Sequence, residues 1–340
     1  MQSTIETGPL YTDKLFLTIA VPTLNRLSYL RETLTSVFGQ TCDDFEVLVS
    51  NNCSSDGTKE YLDRLDDLRV TVYHQKTPLS MTANWNFLLE RAKADFFLLL
   101  SDDDLIGTDF VGRCKEAFSG QRDRADQITV IYGSTGIIDS QGTIQDHWKN
   151  DDLEPLESGE ELVINWFKGL RPVSFCSTLF RTESFRYIGG FDETNRYAAD
   201  AVARARLSVN HQALYVREAV AYYRIHDTNA TFQNFNPADR LRYNLDISLQ
   251  AIKDVTNSEK KEEIRRAGEK YAKMVFISES ALGSATDFKL RMVSDFVGAY
   301  LTHFSLATLL FFDLVRYLRR TLLECNLKRP MHGDVSSGTR

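Results

Sequence analysis

The sequence predicts an α/β fold, a Rossmann-like, doubly wound and mostly parallel sheet with a helical C-terminal extension. Two observations carry this expectation. In the first hundred residues, short apolar runs alternate with segments whose apolar residues recur at helical spacing, so single helices join successive strands. From Pro237 onward the pattern is helical, with charged stretches such as EKKEEIRRAGEK.

Residues 15–21 (LFLTIAV) form an apolar run that stops at Pro22, as a buried parallel strand would. Leu27, Leu30, Leu34, Val37 and Phe38 then recur at helical spacing, and Gly39 ends that helix. A second strand reads FEVLVS (45–50). The turn NNCSSDGT leads from it to a helix with Tyr61, Leu62, Leu65 and Leu68 on one face. Residues 69–74 (RVTVYH) are a third strand. Trp85, Leu88, Leu89 and Ala92 mark a helix, and FFLLL (96–100) is a fourth, buried strand. Residues 133–160 read as loop, and 161–230 mix short strands and helices, including SFCSTLF and ALYVREAVAYYRIH. The last dozen residues read as a disordered tail.

A net charge of −7 argues against a nucleic-acid partner, which calls for a basic face. The five cysteines are scattered and never spaced C-x-x-C, which speaks against a disulfide scaffold or a cysteine zinc site and fits a reducing cytoplasm. The first residues lack a basic start and an apolar run, so no export is expected.

In doubly wound sheets, ligands bind beyond the carboxyl ends of the strands. Those ends read PTLNR (22–26), SNNCSSD (50–56) and SDDD (101–104), and all three converge on one edge. Three adjacent carboxylates repel one another unless a cation or several donors compensate. Asp102, Asp103 and Asp104 therefore either hold Mg²⁺ or Mn²⁺ or serve a helix N-terminus. Asn51 and Asn52 either read a nucleobase edge or only shape a turn. Asp56 reads as a helix cap. Arg224 and His226, two residues apart, would share one face of a strand, where a guanidinium and an imidazole suit a diphosphate and its metal. Asp200 falls in the first turn of a helix, where an Asp often just compensates the dipole.

Set in order over roughly residues 14–228, these segments resemble the GT-A fold of family 2 glycosyltransferases. The resemblance runs through AVPTLNR, VLVSNNCSSDGT, TANWNFLLERAKADFFLLLSDDDL, IGGFDETNRYAAD and YYRIHDTNAT. Asn51 and Asn52 replace the family's two acids, the second of which contacts the base. The Asp-x-Asp signature is read either as Asp102-x-Asp104 or with Ser101 replacing the first acid and Asp103 as the metal ligand. The resemblance implies an inverting transfer of a sugar from a nucleotide-diphosphate donor to an acceptor hydroxyl, in polysaccharide or glycoconjugate synthesis. It places donor contacts at Pro22, Thr23, Asn25, Arg26, Asn51, Asn52, Asn84, Asp102 and Arg224, with Trp85 beside Asn84. Asp103, Asp104 and His226 would hold a Mn or Mg divalent cation, and Asp200, with Ala199 in place of a preceding acid, would be the base. The acceptor would be a saccharide or lipid-linked.

Two other readings are weighed against this one. A nucleotidyltransferase calls for a glycine-rich loop after the first strand, and PTLNRLS has no glycine. A nucleotide-sugar-binding or scaffolding relative without activity would be distinguished by its failure to hydrolyse the donor. The expected organisation is a catalytic domain over 14–228, a helical region over 229–327 and the tail over 328–340. Residues 296–312 carry no Asp, Glu, Lys or Arg, and Arg316, Arg319 and Arg320 follow. That pattern suits either a helix packed on the catalytic domain or peripheral association with an anionic membrane.

Overall fold

The computed structural model describes residues 14–150, 153–194, 198–227, 229 and 237–282. The segment 296–322, the tail and Cys325 lie outside the described residues. Strands β1 (Leu17–Thr23), β2 (Phe45–Asn51), β3 (Val70–His74) and β4 (Phe96–Leu99) stand where the apolar runs predict them. They form a parallel block ordered β3-β2-β1-β4, joined by helices α1 (Leu27–Phe38), α2 (Thr58–Leu62) and α3 (Met81–Arg91). Helices cover both faces of β1 and β4, which is why these strands are apolar almost throughout.

Helix α2 is shorter than its apolar spacing predicts, and Leu68 is exposed. The carboxylate of Asp67 accepts the backbone N–H and the Nε–H of Arg69, at 2.9 and 3.0 Å. This local turn competes with helix for the same backbone groups.

The sheet continues beyond β4. β9 (Thr178–Arg181) lies antiparallel between β4 and β6 (Ile128–Ile138), and β10 (Gln212–Arg224) runs parallel to β6. β6 and β10 therefore run with the first four strands. The short β5 (Leu105–Ile106) opposes β10, β7 (Ile144–Trp148) opposes β6 and β8 (Leu156–Ser158) opposes β10. The expected mostly parallel sheet is thus present, with antiparallel insertions.

The loop expected over 133–160 is not there: β6 extends to Ile138, and β7 and β8 follow. The Gly-Ser-Thr-Gly run that reads as loop is the middle of a strand buried along its whole length. Its glycines are steric requirements. A Cβ on Gly133 would lie 2.0 Å from the Ala219 carbonyl, and one on Gly136 would lie 2.7 Å from the Tyr222 ring.

The remaining helices are α4 (Phe110–Ser119), α5 (Gly159–Phe167), α6 (Thr182–Tyr187), α7 (Ala199–Ser208), α8 (Pro237–Ala251) and α9 (Ser258–Leu282). One apolar layer packs α1 and α4 on the sheet, and a second packs α3, α6 and α7 on the other face. A third joins α8 and α9 to α5 and α7 through Ile164, Phe167, Val202, Ile247, Val255 and Ile264. Helices α8 and α9, the described part of the expected helical region, are thereby seated against α5 and α7. Among the described residues, no helix is long and apolar enough to cross a membrane.

Candidate active site

Three strand ends meet at one edge of the sheet. After β1 the chain turns through Asn25, whose backbone takes a left-handed conformation (φ 54°). Asn25 N–H donates to Ser54 Oγ (2.9 Å), and its side-chain oxygen accepts from Ser55 N–H (2.7 Å), tying the first strand end to the second. Asp56 accepts from Leu27 N–H (2.9 Å) and Thr58 N–H (3.2 Å), so it serves the starts of both α1 and α2, the capping role its position predicts. Thr23 closes β1, and its carbonyl accepts Asn52 N–H (2.9 Å). Pro22 is half-buried in register with Ser50.

This frame aims Arg26 at the acidic cluster. Its guanidinium hydrogen-bonds Asp103 Oδ2 and lies 3.6 Å from Asp102 Oδ1. The His226 ring approaches the same Asp103 oxygen, with Nε2 at 3.0 Å. All three aspartates are buried. Burial pushes the Asp102 carboxyl up to about 7, and the neighbouring Asp103 charge adds to this against the Thr23 hydroxyl and Arg26. Asp104 is also pushed well above the carboxylate range, by burial and then by Asp103. Ionising all three carboxyls together is therefore unfavourable here, and a bound cation would favour their charged forms.

Asp103 and His226 fit such an ion. Their carboxylate oxygen and imidazole nitrogen, 3.0 Å apart, are donor types that a Mn²⁺ or Mg²⁺ ion could take. Among the described residues, no three His, Cys, Asp or Glu side chains are placed to hold a metal between them, so the expected set of Asp103, Asp104 and His226 does not form a three-ligand site.

Several expected contacts are engaged elsewhere. Asp104 accepts the backbone N–H of Arg224 (2.9 Å), which commits one of its oxygens to the end of β10. The Arg224 side chain is fully buried and presents no face to a diphosphate. Its Nη2 donates to Glu32 (2.6 Å) and its Nε to the Asp103 carbonyl (2.8 Å). Asn52 exchanges two hydrogen bonds with the backbone of Leu79, at 3.0 and 2.8 Å. Asn51 donates to His74 Nδ1 (3.1 Å) and accepts Ser54 N–H (3.0 Å). Both amides therefore help to hold the loop. Asn84, in the first turn of α3, accepts the Ser50 hydroxyl (2.6 Å), and Trp85 packs edge-on against Phe191.

Asp200 lies half-buried in the first turn of α7, which packs on the sheet through Ala199, Ala203 and Leu207. Burial raises its carboxyl above the usual range, and the positive charge of Arg204 one turn on opposes this. Arg204 is itself buried, donating to the Val173 carbonyl (3.3 Å) with its guanidinium 4.4 Å from the Trp166 ring centre.

Sequence reasoning missed Tyr29, Glu32, Arg204 and Asn229. Tyr29 and Glu32 lie three apart on α1, as Asp200 and Arg204 lie four apart on α7, so each pair shares a helix face. That spacing is a usable signal only once the helix is known to face the site.

A mixed sheet with helices on both faces and an acidic cluster at its carboxyl edge defines a protein of the GT-A class. Residues 18–189, about half of the chain, match the model of glycosyl transferase family 2, and the chain belongs to that family. An uncharacterized glycosyltransferase of Rickettsia felis is 26% identical over 52% of this chain and 28% of its own length. The GalNAc(5)-diNAcBac-PP-undecaprenol beta-1,3-glucosyltransferase of Campylobacter jejuni is 25% identical over 62% of this chain and 64% of its own. The chain thus spans less than two thirds of the length of either relative. In fold it resembles the crystal structure of S. aureus TarS 1-349 in complex with UDP-GlcNAc. The TM-score is 0.61 at 17% identity, over 84% of this chain and 81% of that one.

Proposed function

We propose that this protein is an inverting glycosyltransferase that moves a sugar from a nucleoside-diphosphate donor to an acceptor hydroxyl. The observation that carries this reading is the Asp103–His226 pair, set beside Arg26 at the strand ends where doubly wound sheets bind ligands. Asp103 and His226 would hold a Mn²⁺ or Mg²⁺ ion, which supplies positive charge to the departing diphosphate. Among the two expected signature registers, the commitment of Asp104 to Arg224 N–H favours the one that uses Asp103. Arg26, partly exposed beside the cluster, is the cation best placed for the donor's phosphates.

Asp200 is the proposed base. The acceptor oxygen attacks the anomeric carbon as the bond to the diphosphate oxygen breaks. The acceptor proton passes to the Asp200 carboxylate, and the nucleoside diphosphate leaves with the bonding pair. A carboxyl raised by burial is a stronger base than an exposed one. The acceptor is a saccharide or a lipid-linked saccharide. The undecaprenol-linked acceptor in the name of the Campylobacter relative supports the second class, with the protein working at the cytoplasmic face of a membrane.

A thermal-shift screen of nucleotide sugars with and without Mn²⁺ tests the reading. A tight donor raises the Tm by mass action, and the metal enlarges the effect. No stabilisation by any nucleotide sugar with Mn²⁺ present refutes it. Co-sedimentation with anionic liposomes at low and high salt, against a chain ending near residue 290, tests the membrane part. Salt-sensitive pelleting that needs the C-terminal segment is expected.

A further inference from the structure

Between the end of β10 and α1, side chains outside the chemistry just described converge on the two proposed ligands. Tyr29, on α1, stacks on the His226 ring with centroids 4.8 Å apart and planes 26° from parallel. The Arg224 guanidinium carbon lies 5.0 Å from the centre of the same Tyr29 ring. Arg224 also gathers the surrounding segments. Its Nε donates to the Asp103 carbonyl (2.8 Å), Nη2 to Glu32 on α1 (2.6 Å) and Nη1 to the Ser140 carbonyl in the β6–β7 turn (3.3 Å). Asn229, also buried, closes the turn that carries His226. Its side-chain oxygen accepts His226 N–H (2.6 Å), and its amide donates to the Arg224 carbonyl (3.1 Å).

His226 is thus fixed at three points: the face of its ring by Tyr29, its Nε2 against Asp103, and its backbone by Asn229. Asp103 is fixed through its own carbonyl by the arginine that also contacts Tyr29. A fully buried arginine is costly to desolvate, and this one meets that cost with one carboxylate, two carbonyls and an aromatic ring. Such an arrangement exceeds what is needed merely to end a strand.

We propose that Tyr29, Arg224 and Asn229 are positioning residues that hold the His226 imidazole against Asp103 Oδ2, presetting two ligand atoms for a divalent cation before donor arrives. Arg224 thereby acts on the site through Asp103 and Tyr29 rather than by touching phosphate. Groups that orient metal ligands from behind carry a large effect, and their loss costs about 10–100-fold in metal affinity. The inference rests on the metal reading above, and its test separates the two.

The full chain is compared with Tyr29→Phe, Tyr29→Leu and Asn229→Ala, all chosen to spare the arginine, whose replacement risks the fold. Mn²⁺ affinity of the protein without donor is measured by water-proton relaxation. The ring nitrogen resonances of His226, assigned by their loss in His226→Gln, are recorded without metal. The Phe variant keeps parental affinity and ring signature. The Leu and Asn229→Ala variants stay folded by circular dichroism, lose about tenfold or more in Mn²⁺ affinity, and show a ring signal altered toward that of an unconstrained histidine. If Tyr29→Leu is folded with an unchanged His226 signature and unchanged Mn²⁺ affinity, Tyr29 is packing only and the proposal is overturned. If the parent binds no Mn²⁺, the metal reading fails, and an unchanged ring signature in both Tyr29→Leu and Asn229→Ala overturns the positioning frame by itself.

Discussion

Asp103 receives both Arg26 and His226 on one oxygen, so its carboxylate is the electrostatic centre of the site. Asp103→Ala should abolish transfer and weaken donor binding in Mn²⁺. Full activity of the parent in EDTA would contradict the metal role assigned here. Asp200 makes a different prediction, because it touches no other proposed site group. Asp200→Asn is nearly isosteric, so fold and donor affinity should survive while turnover falls by about two to four orders of magnitude. The pH profile follows in sign. A base works ionised, and burial raises the Asp200 carboxyl, so kcat/KM should climb with pH through a midpoint above the ordinary carboxylate range. A purified Asp200→Asn variant with near-parental turnover would remove the assignment.

Helix α7 carries Asp200 and Arg204 one turn apart, and burial outweighs that pairing in setting the direction of the Asp200 shift. Arg204 is the positive charge that opposes the effect of burial on Asp200. Arg204→Met should keep the stack on Trp166 in part, remove the charge, and shift the acid limb of the rate profile to higher pH. An acid limb that stays in place would show that burial alone sets it. The same helix shows where sequence reading stops. Strands β1, β2 and β4 were legible because they are apolar almost throughout and bounded by turn residues, and the edge strand β3 by its β-branched and aromatic residues. The acidic cluster and His226 were legible as a site because they stand at strand ends or just beyond them. β6 was not legible, because close approach to Ala219 and Tyr222 demands glycine at 133 and 136, and glycine inside a strand imitates a loop. The structural partners of Asn51, Asn52 and Arg224 were hidden for a related reason. Sequence shows that a side chain has donors and acceptors, but only packing shows that Leu79, His74 and Glu32 already occupy them.

At the scale of the whole molecule, the helices beyond the family match are joined to the helix that carries Asp200. Trp166 on α5 contacts Arg204 on one side of the chain of contacts and Tyr271 of α9 on the other, with ring centres 5.8 Å apart in the second case. Around that contact Val163, Ile164, Phe167, Val202 and Val209 are buried in one cluster with Ile247, Val255 and Ile264 of the C-terminal helices and the turn between them. Removing α8 and α9 would uncover the first five. Each large apolar side chain is worth about 1.5–3 kcal/mol when fully buried. Even partial exposure of the group is then a large share of the ~5–15 kcal/mol that holds a typical domain folded. A chain ending at residue 236 should therefore aggregate on expression, or melt at least about 10 °C below the full chain if recovered. The full chain and the truncated one can be compared by solubility and by differential scanning calorimetry. A soluble product with the parental Tm would mean that α8 and α9 are an appended unit, and that Arg204 and Trp166 hold the base without them.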